Sequence, residues 1–130
     1  MKTIIQKVRF KATPKELYSI FLDSKKHTEA TGGKAKVSPK VGGSFTAWEG
    51  YIRGKNIMIV PGRMIVQSWR SGEFKAQDPD SILALTFEKA PGGTLLTMVH
   101  AMVPDHKAKG FAKGWHDFYW KPIKKYLGKK

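Results

Sequence analysis

Gly114-Trp115-His116-Asp117-Phe118-Tyr119-Trp120-Lys121-Pro122-Ile123, within the longer run from Asp105 to Leu127, is the stretch whose reading decides the fold. Placed at about 100° per residue around a helix axis, the run separates into two sides. Phe111, Ala112, Trp115, Phe118, Tyr119, Pro122, Ile123 and Tyr126 fall on one side, and Lys109, Lys113, Asp117, Lys121 and Lys124 fall opposite. This predicts a long amphipathic helix from about Asp105 to Leu127 whose aromatic face needs a partner. Pro122 lacks a backbone donor and predicts a kink near the helix end.

The partner is a sheet. Working back from the helix, Gly42-Gly43, Glu49-Gly50, Pro61-Gly62, Asp78-Pro79-Asp80 and Pro91-Gly92-Gly93 punctuate the chain. Between them lie strand-like runs over roughly Ser44 to Trp48, Tyr51 to Val60, Arg63 to Arg70, Ile82 to Lys89 and Thr94 to Val103. That spacing is an antiparallel meander. At the N-terminus, Met1 to Lys11 alternates Ile4, Val8 and Phe10 against Lys7, Arg9 and Lys11, a half-buried strand with Gln6 as the one polar inner residue. Thr13-Pro14-Lys15-Glu16 then combines an N-cap, a first-turn proline and a capping-box glutamate ahead of Leu17, Ile20 and Phe21. A second short helix, capped by Asp23 or Ser24, ends at Gly32-Gly33. The pattern is α+β, a bent sheet closing on the last helix and leaving a cleft beneath it.

The length of 130 residues suits one domain, 1–130. With no cysteine, disulfides, thiolate catalysis and thiolate metal sites are excluded. Neither a signal peptide nor a bilayer-spanning stretch is visible, so a soluble, cytoplasmic protein is expected. The 24 Lys and Arg against 10 Asp and Glu give a net charge of +14. Such a field attracts anionic partners, but without a recognised motif nucleic-acid binding is not expected.

Several segments taken in order resemble a known family. They are Ala12-Thr13-Pro14-Lys15-Glu16-Leu17-Tyr18 with Phe21, Gly42-Gly43-Ser44-Phe45, Gly50-Tyr51-Ile52-Arg53-Gly54, Ile65-Val66-Gln67-Ser68-Trp69-Arg70, Leu85-Thr86-Phe87, and Gly114 to Trp120 running into Ile123 and Leu127. Together they resemble the activator of heat-shock protein 90 ATPase homologue (AHSA-type) domain, within the START-like and polyketide-cyclase-like helix-grip group. The resemblance implies a curved antiparallel sheet of about six strands wrapped around a long C-terminal helix, with two short helices after the first strand. It also implies two modes of use. One is contact with a heat-shock protein 90-type chaperone. The other is a small apolar molecule held in the cleft under the helix. The eukaryotic activator's preceding domain, which carries much of its stimulating activity, has no expected counterpart here, so the ligand-binding mode leads.

Leu96, Met98, His100 and Met102 share one face of the last strand. The family pattern points that face into the cleft, giving an adaptable apolar pocket with one polar handle. Trp48, Trp69, Phe87, Trp115 and Tyr119 are candidates for its aromatic walls, though Trp115 and Tyr119 equally suit ordinary core and His100 a hydrogen-bonded core histidine. Trp120 falls near the lysine side of the helix wheel, with Lys113 and Lys124 close by. An exposed tryptophan among cations would suit a partner surface, or it would cover the seam between helix and sheet. The C-terminal lysines, Lys121, Lys124, Lys125, Lys129 and Lys130, match the helix dipole. Asp105-His106 and His116-Asp117 are the close His and carboxylate pairs, and adjacent helical residues diverge by about 100°. No catalytic residue, metal or cofactor is therefore expected; the alternative, which the helix-grip resemblance implies, is a cyclase- or hydrolase-like enzyme using the cleft.

Overall fold

The alternation at the N-terminus buries Ile4, Val8 and Phe10 in strand β1, Lys2–Phe10, of a computed structural model that describes residues 1–129. Lys130, counted above with the C-terminal lysines, lies outside those residues. Helix α1, Pro14–Leu22, starts on the predicted capping box: the Glu16 amide donates to Thr13 Oγ1 at 3.1 Å and the Thr13 amide to Glu16 Oε1 at 3.2 Å. Helix α2, Ser24–Thr31, is capped by Asp23 and ends at Gly32, whose φ of +84° is a left-handed conformation that glycine adopts without a Cβ clash.

Six further strands follow: β2, Lys36–Val37; β3, Ser44–Ala47; β4, Ile52–Val60; β5, Met64–Ser71; β6, Ser81–Ala90; and β7, Gly93–Val103. They form one antiparallel curved sheet of seven strands in the order β1-β7-β6-β5-β4-β3-β2. The sequence pointed to about six. The additional strand, β2, is two residues long, too short for any alternation to register.

The C-terminal segment runs from a 3₁₀ turn, Asp105–Lys107, into α3, Ala108–Trp115, then a five-residue π turn, His116–Trp120, then α4, Lys121–Gly128. Among the described residues no helix is long and apolar enough to cross a membrane. The inner face of the C-terminal segment contributes Trp115, Tyr119, Trp120 and Ile123 to a core that also includes Leu17, Ile20, Phe21, Ile65, Leu85, Leu96 and Met98.

The π turn overturns one expectation. Trp120 is 1% exposed, not set among the lysines. A uniform helix wheel assumes a constant period, but a π turn adds a residue to one turn and rotates everything after it. Both Tyr119 and Trp120 consequently face inward. Trp120 stacks on Trp115 with ring centroids 5.3 Å apart, and Phe118 is turned out to 55% exposure. Gln6 locks this arrangement. The His116 amide reaches back to Lys113 O, and Ala112 O accepts from Gln6 Nε2 at 2.9 Å. Gln6 Oε1 in turn accepts from Trp120 Nε1 at 2.7 Å.

A second expectation fails at Met102, which is 40% exposed with φ at +60° while Val103 is fully buried. Lys2 pairs with Val103 and Ile4 with His100, so β7 carries one residue more than β1 over this interval. That bulge reverses the alternation after His100 and points Met102 outward.

Candidate ligand cleft

Between the sheet and α3 lies a cleft of about 460 Å³. Its walls are aromatic: Trp48, Trp69, Phe111, Trp115, Phe118 and Tyr119. They meet edge-on or tilted, with centroids 5.5 Å apart for Trp48 and Phe118, 5.3 Å for Trp69 and Phe111, and 4.8 Å for Trp115 and Tyr119. Such contacts hold the rings in defined orientations.

Local backbone features keep the cleft shaped and open. Trp48 has φ of +52°, Glu49 +59° and Gly50 +91°, a left-handed turn between β3 and β4 in which a bulky residue is uncommon. A side chain on Gly33 would overlap the Trp48 indole, so that glycine lets the ring lie flat on the chain. On the opposite wall, Gly110 and Gly114 occupy equivalent places one turn apart on α3 and line the cleft. A Cβ on Gly110 would meet nothing within 4 Å, and one on Gly114 only Phe118 Cδ2 at an ordinary 3.8 Å. Packing does not demand either glycine. Each lowers helix stability, and together they leave empty space.

The rim is polar. The Tyr51 hydroxyl donates to Glu73 Oε2, and Lys107 Nζ donates to Glu73 Oε1 at 2.8 Å. Lys107, with Tyr51, holds the Glu73 carboxyl below its ordinary range, while burial and the Glu73 carboxylate raise the Tyr51 hydroxyl. At the floor, the Tyr119 hydroxyl lies 3.3 Å from His27 Nε2, and burial raises its pKa well above the usual tyrosine value. Trp48 counters that rise in part, yet its Nε1 is buried without a partner at hydrogen-bond geometry, as is His27 Nδ1. Burial lowers the His27 pKa to about 4.

Trp48, Trp69, Trp115 and Tyr119 are brought together at the cleft. His100, Met98, Phe87 and Met102 are not among its lining residues. His100 lies behind the wall and is fully engaged: Trp115 Nε1 donates to its Nδ1 at 3.2 Å, and its Nε2 is 2.8 Å from Ser81 Oγ. Ser81 Oγ donates to Trp69 O at 2.6 Å, which leaves its lone pairs to accept from the imidazole and makes His100 the Nε2–H tautomer. Burial lowers its pKa to about 4. His100 thus fixes two walls of the cleft without touching its contents. Met98 is fully buried, and Phe87 packs against Tyr18 and Phe21 at centroid distances of 5.8 and 6.0 Å. Lys113 is exposed beside Asp117, and Lys124 Nζ stands 5.9 Å from the Phe10 ring centroid. Tyr51, Glu73, Lys107, Gly110, Phe111, Gly114 and Phe118 were not identified as cleft residues from sequence. Two glycines four apart in an otherwise helical run were the available signal.

Residues 11–128 match the family described as activator of Hsp90 ATPase homolog 1-like protein. The chain is 29% identical over 127 residues to the human activator of 90 kDa heat shock protein ATPase homolog 1, covering 96% of this chain and 37% of that protein. It therefore spans little more than a third of the length of that relative. Its fold matches an HSP90 activator from Plasmodium falciparum with TM-score 0.88 at 23% identity, over 98% of this chain and 97% of that one. It also matches the Aha1 dimer from Colwellia psychrerythraea with TM-score 0.82 at 14% identity, over 98% and 96%. With the helix-grip architecture and nearly its whole length matched, the chain belongs to the activator of Hsp90 ATPase homolog 1-like family.

Proposed function

We propose that the chain is a non-enzymatic binding module that holds a small apolar, preferentially aromatic ligand between the sheet and α3. The observation that carries this reading is a 460 Å³ aromatic cleft lined by two helix glycines that packing does not require. Apolar walls with a few convergent polar groups are the usual composition of a small-molecule site. The polar groups at the rim are Tyr51, Glu73 and Lys107, with Lys107 and Tyr51 both bonded to the Glu73 carboxylate. Of the two buried histidines, His100 has both ring nitrogens engaged in structural bonds, and His27 Nε2 lies 3.3 Å from the Tyr119 hydroxyl.

The test is native mass spectrometry of the protein purified from its own host, followed by gentle extraction. A reproducible apolar molecule, absent when Gly114→Leu fills the cleft, supports the reading. A clean unliganded mass, with no affinity for aromatic probes, overturns it.

The family supports a second reading, docking on a heat-shock protein 90-type chaperone through a basic surface. The human relative is described as an activator of that chaperone's ATPase, and the +14 charge suits an acidic partner. Lys113 and Lys124 remain candidate contacts, whereas buried Trp120 does not. Stimulation of the host chaperone's ATPase by this chain, lost in Lys113→Glu/Lys124→Glu, is the expected result; no stimulation and no complex would refute it.

A further inference from the structure

The outer face of the sheet, turned away from the C-terminal helices, carries an apolar row between flanks that include Lys7, Thr97 and Thr86 on one side and Ser68, Arg70 and Arg53 on the other. An antiparallel sheet with one face on a core normally presents polar side chains on the other. Here the register runs apolar across the strands: Ile5 opposite Val99, Val99 opposite Ala84, Ala84 opposite Val66, and Val66 opposite Met58. That is an unbroken row over β1, β7, β6, β5 and β4. Its two ends are open to solvent, Ile5 at 63% and Met58 at 45% exposure. Ile82 and Ala101 widen it on one side, and Met64 and Val60 on the other.

Charge brackets the row at diagonal corners. Lys7 and Arg9 stand beside Ile5 on β1, and Arg53 and Lys55 stand beyond Met58 on β4, all four exposed. None of them makes an ion pair among the described residues. On the same side, Asp80 is held by Arg70 at 3.2 Å, and Glu88 lies across β7 from Arg9, beyond the end of the row.

At about 4.8 Å between strands, a five-strand row is about 19 Å long, the length of a helix of roughly thirteen residues. We propose that this face docks an acidic amphipathic helix of a partner protein, its apolar stripe along the row and its carboxylates at the two cationic corners. A second copy of this chain is disfavoured, because it would bring another +14 and the same unpaired cations to the contact. The inference is independent of the cleft, which lies on the other face of the sheet. It also stands apart from the chaperone reading, whose ATPase assay succeeds or fails separately.

The test uses the full chain and a synthetic helical peptide of about fourteen residues, with leucine along one stripe and glutamate on its flanks. A control peptide carries lysine in place of glutamate. The expected result is saturable binding of the glutamate peptide alone, weakened by salt, with NMR shifts at Ile5, Val99 and Val66 and an unmoved Trp48 indole signal. Ile5→Gln or Met58→Gln, both at exposed positions, weakens binding about tenfold, the worth of one half-buried aliphatic side chain. Lys7→Glu/Lys55→Glu weakens it further without changing the melting temperature by more than a few degrees. Absence of binding overturns the proposal. So do equal affinity for the lysine peptide, shifts confined to the cleft, dimerisation through this face, or tighter capture of phosphatidylserine vesicles by the same residues.

Discussion

Replacing Gly114 separates what the helix needs from what the cleft needs. Gly114 is the last residue but one of α3 yet sits inside a continuous helical run, since Trp115, His116, Trp120 and Lys121 all keep right-handed helical backbone angles. Exchanging an interior helix glycine for alanine stabilises by roughly 0.5–1 kcal/mol, because glycine loses the most backbone freedom on folding. The new methyl meets only Phe118 Cδ2 at 3.8 Å, so no steric cost offsets that gain. Gly114→Ala is therefore expected to raise the melting temperature by about 3–5 °C, the response of a domain of this size to about 1 kcal/mol.

Gly114→Leu keeps most of the helical gain and projects a branched side chain into the cleft. Affinity for a fluorescent aromatic anion such as anilinonaphthalene sulfonate should fall at least tenfold, about 1.4 kcal/mol. Gly110→Leu should act likewise on binding with a smaller gain in stability, as it stands in the first turn of α3. Calorimetry and a fluorescence titration on the same samples decide the matter. If Gly114→Ala lowers stability, the glycine serves the chain and not the cleft. If Gly114→Leu binds the probe undiminished, the ligand site lies elsewhere.

Three other outcomes follow from the buried polar groups and the irregular backbone. His27 and His100 fall from 6.5 to about 4 on folding, so the unfolded state takes up protons first on acidification; stability is full above pH 6.5 and declines toward pH 4. Each lowers stability by up to about 3 kcal/mol over that interval, and urea melts between pH 7 and pH 4.5 that show no decline would contradict this. Trp120→Phe strips Gln6 Oε1 of its donor and should cost about 1–3 kcal/mol beyond the loss of packed area. Pairing it with Gln6→Met should recover part of that cost in a double-mutant cycle, and strict additivity would mean the bond carries no weight. Met102→Gly relieves a left-handed conformation worth about 1 kcal/mol and should leave probe affinity unchanged, since Met102 is outside the cleft; a change in affinity would reinstate it as a contact.

The fold was legible because its signals are local. The capping box at Thr13 and Glu16, the glycine stop at Gly32 and the alternation of β1, β6 and β7 each depend on neighbours within a few residues. What could not be read were two departures from constant period, one in the helix at His116–Trp120 and one in β7 before Met102. Each shifts every later side chain by one place, and that is why Trp120 and Met102 exchange their expected environments. The compensation for the first is visible in the sequence once its partner is known. Gln6 is polar on an inner strand face, and a half-buried amide there finds partners for both its oxygen and its nitrogen. It does so with Ala112 O and Trp120 Nε1, the two groups displaced by the π turn.

The candidate site illustrates a different limit. Alternation placed His100 on the inner face of β7, and it is there, fully buried. Facing inward, however, is not facing the cleft when large rings stand between. Trp69 and Trp115 occupy that space, with centroids 4.6 and 5.8 Å from the imidazole. Periodicity assigns a side chain to a face; only side-chain volume and the glycines opposite decide whether that face is filled or hollow. Near His100 tryptophan fills it, and near Gly110 and Gly114 nothing does. The open part of the cleft therefore lies against α3, at Gly110 and Gly114, and not against His100 on β7.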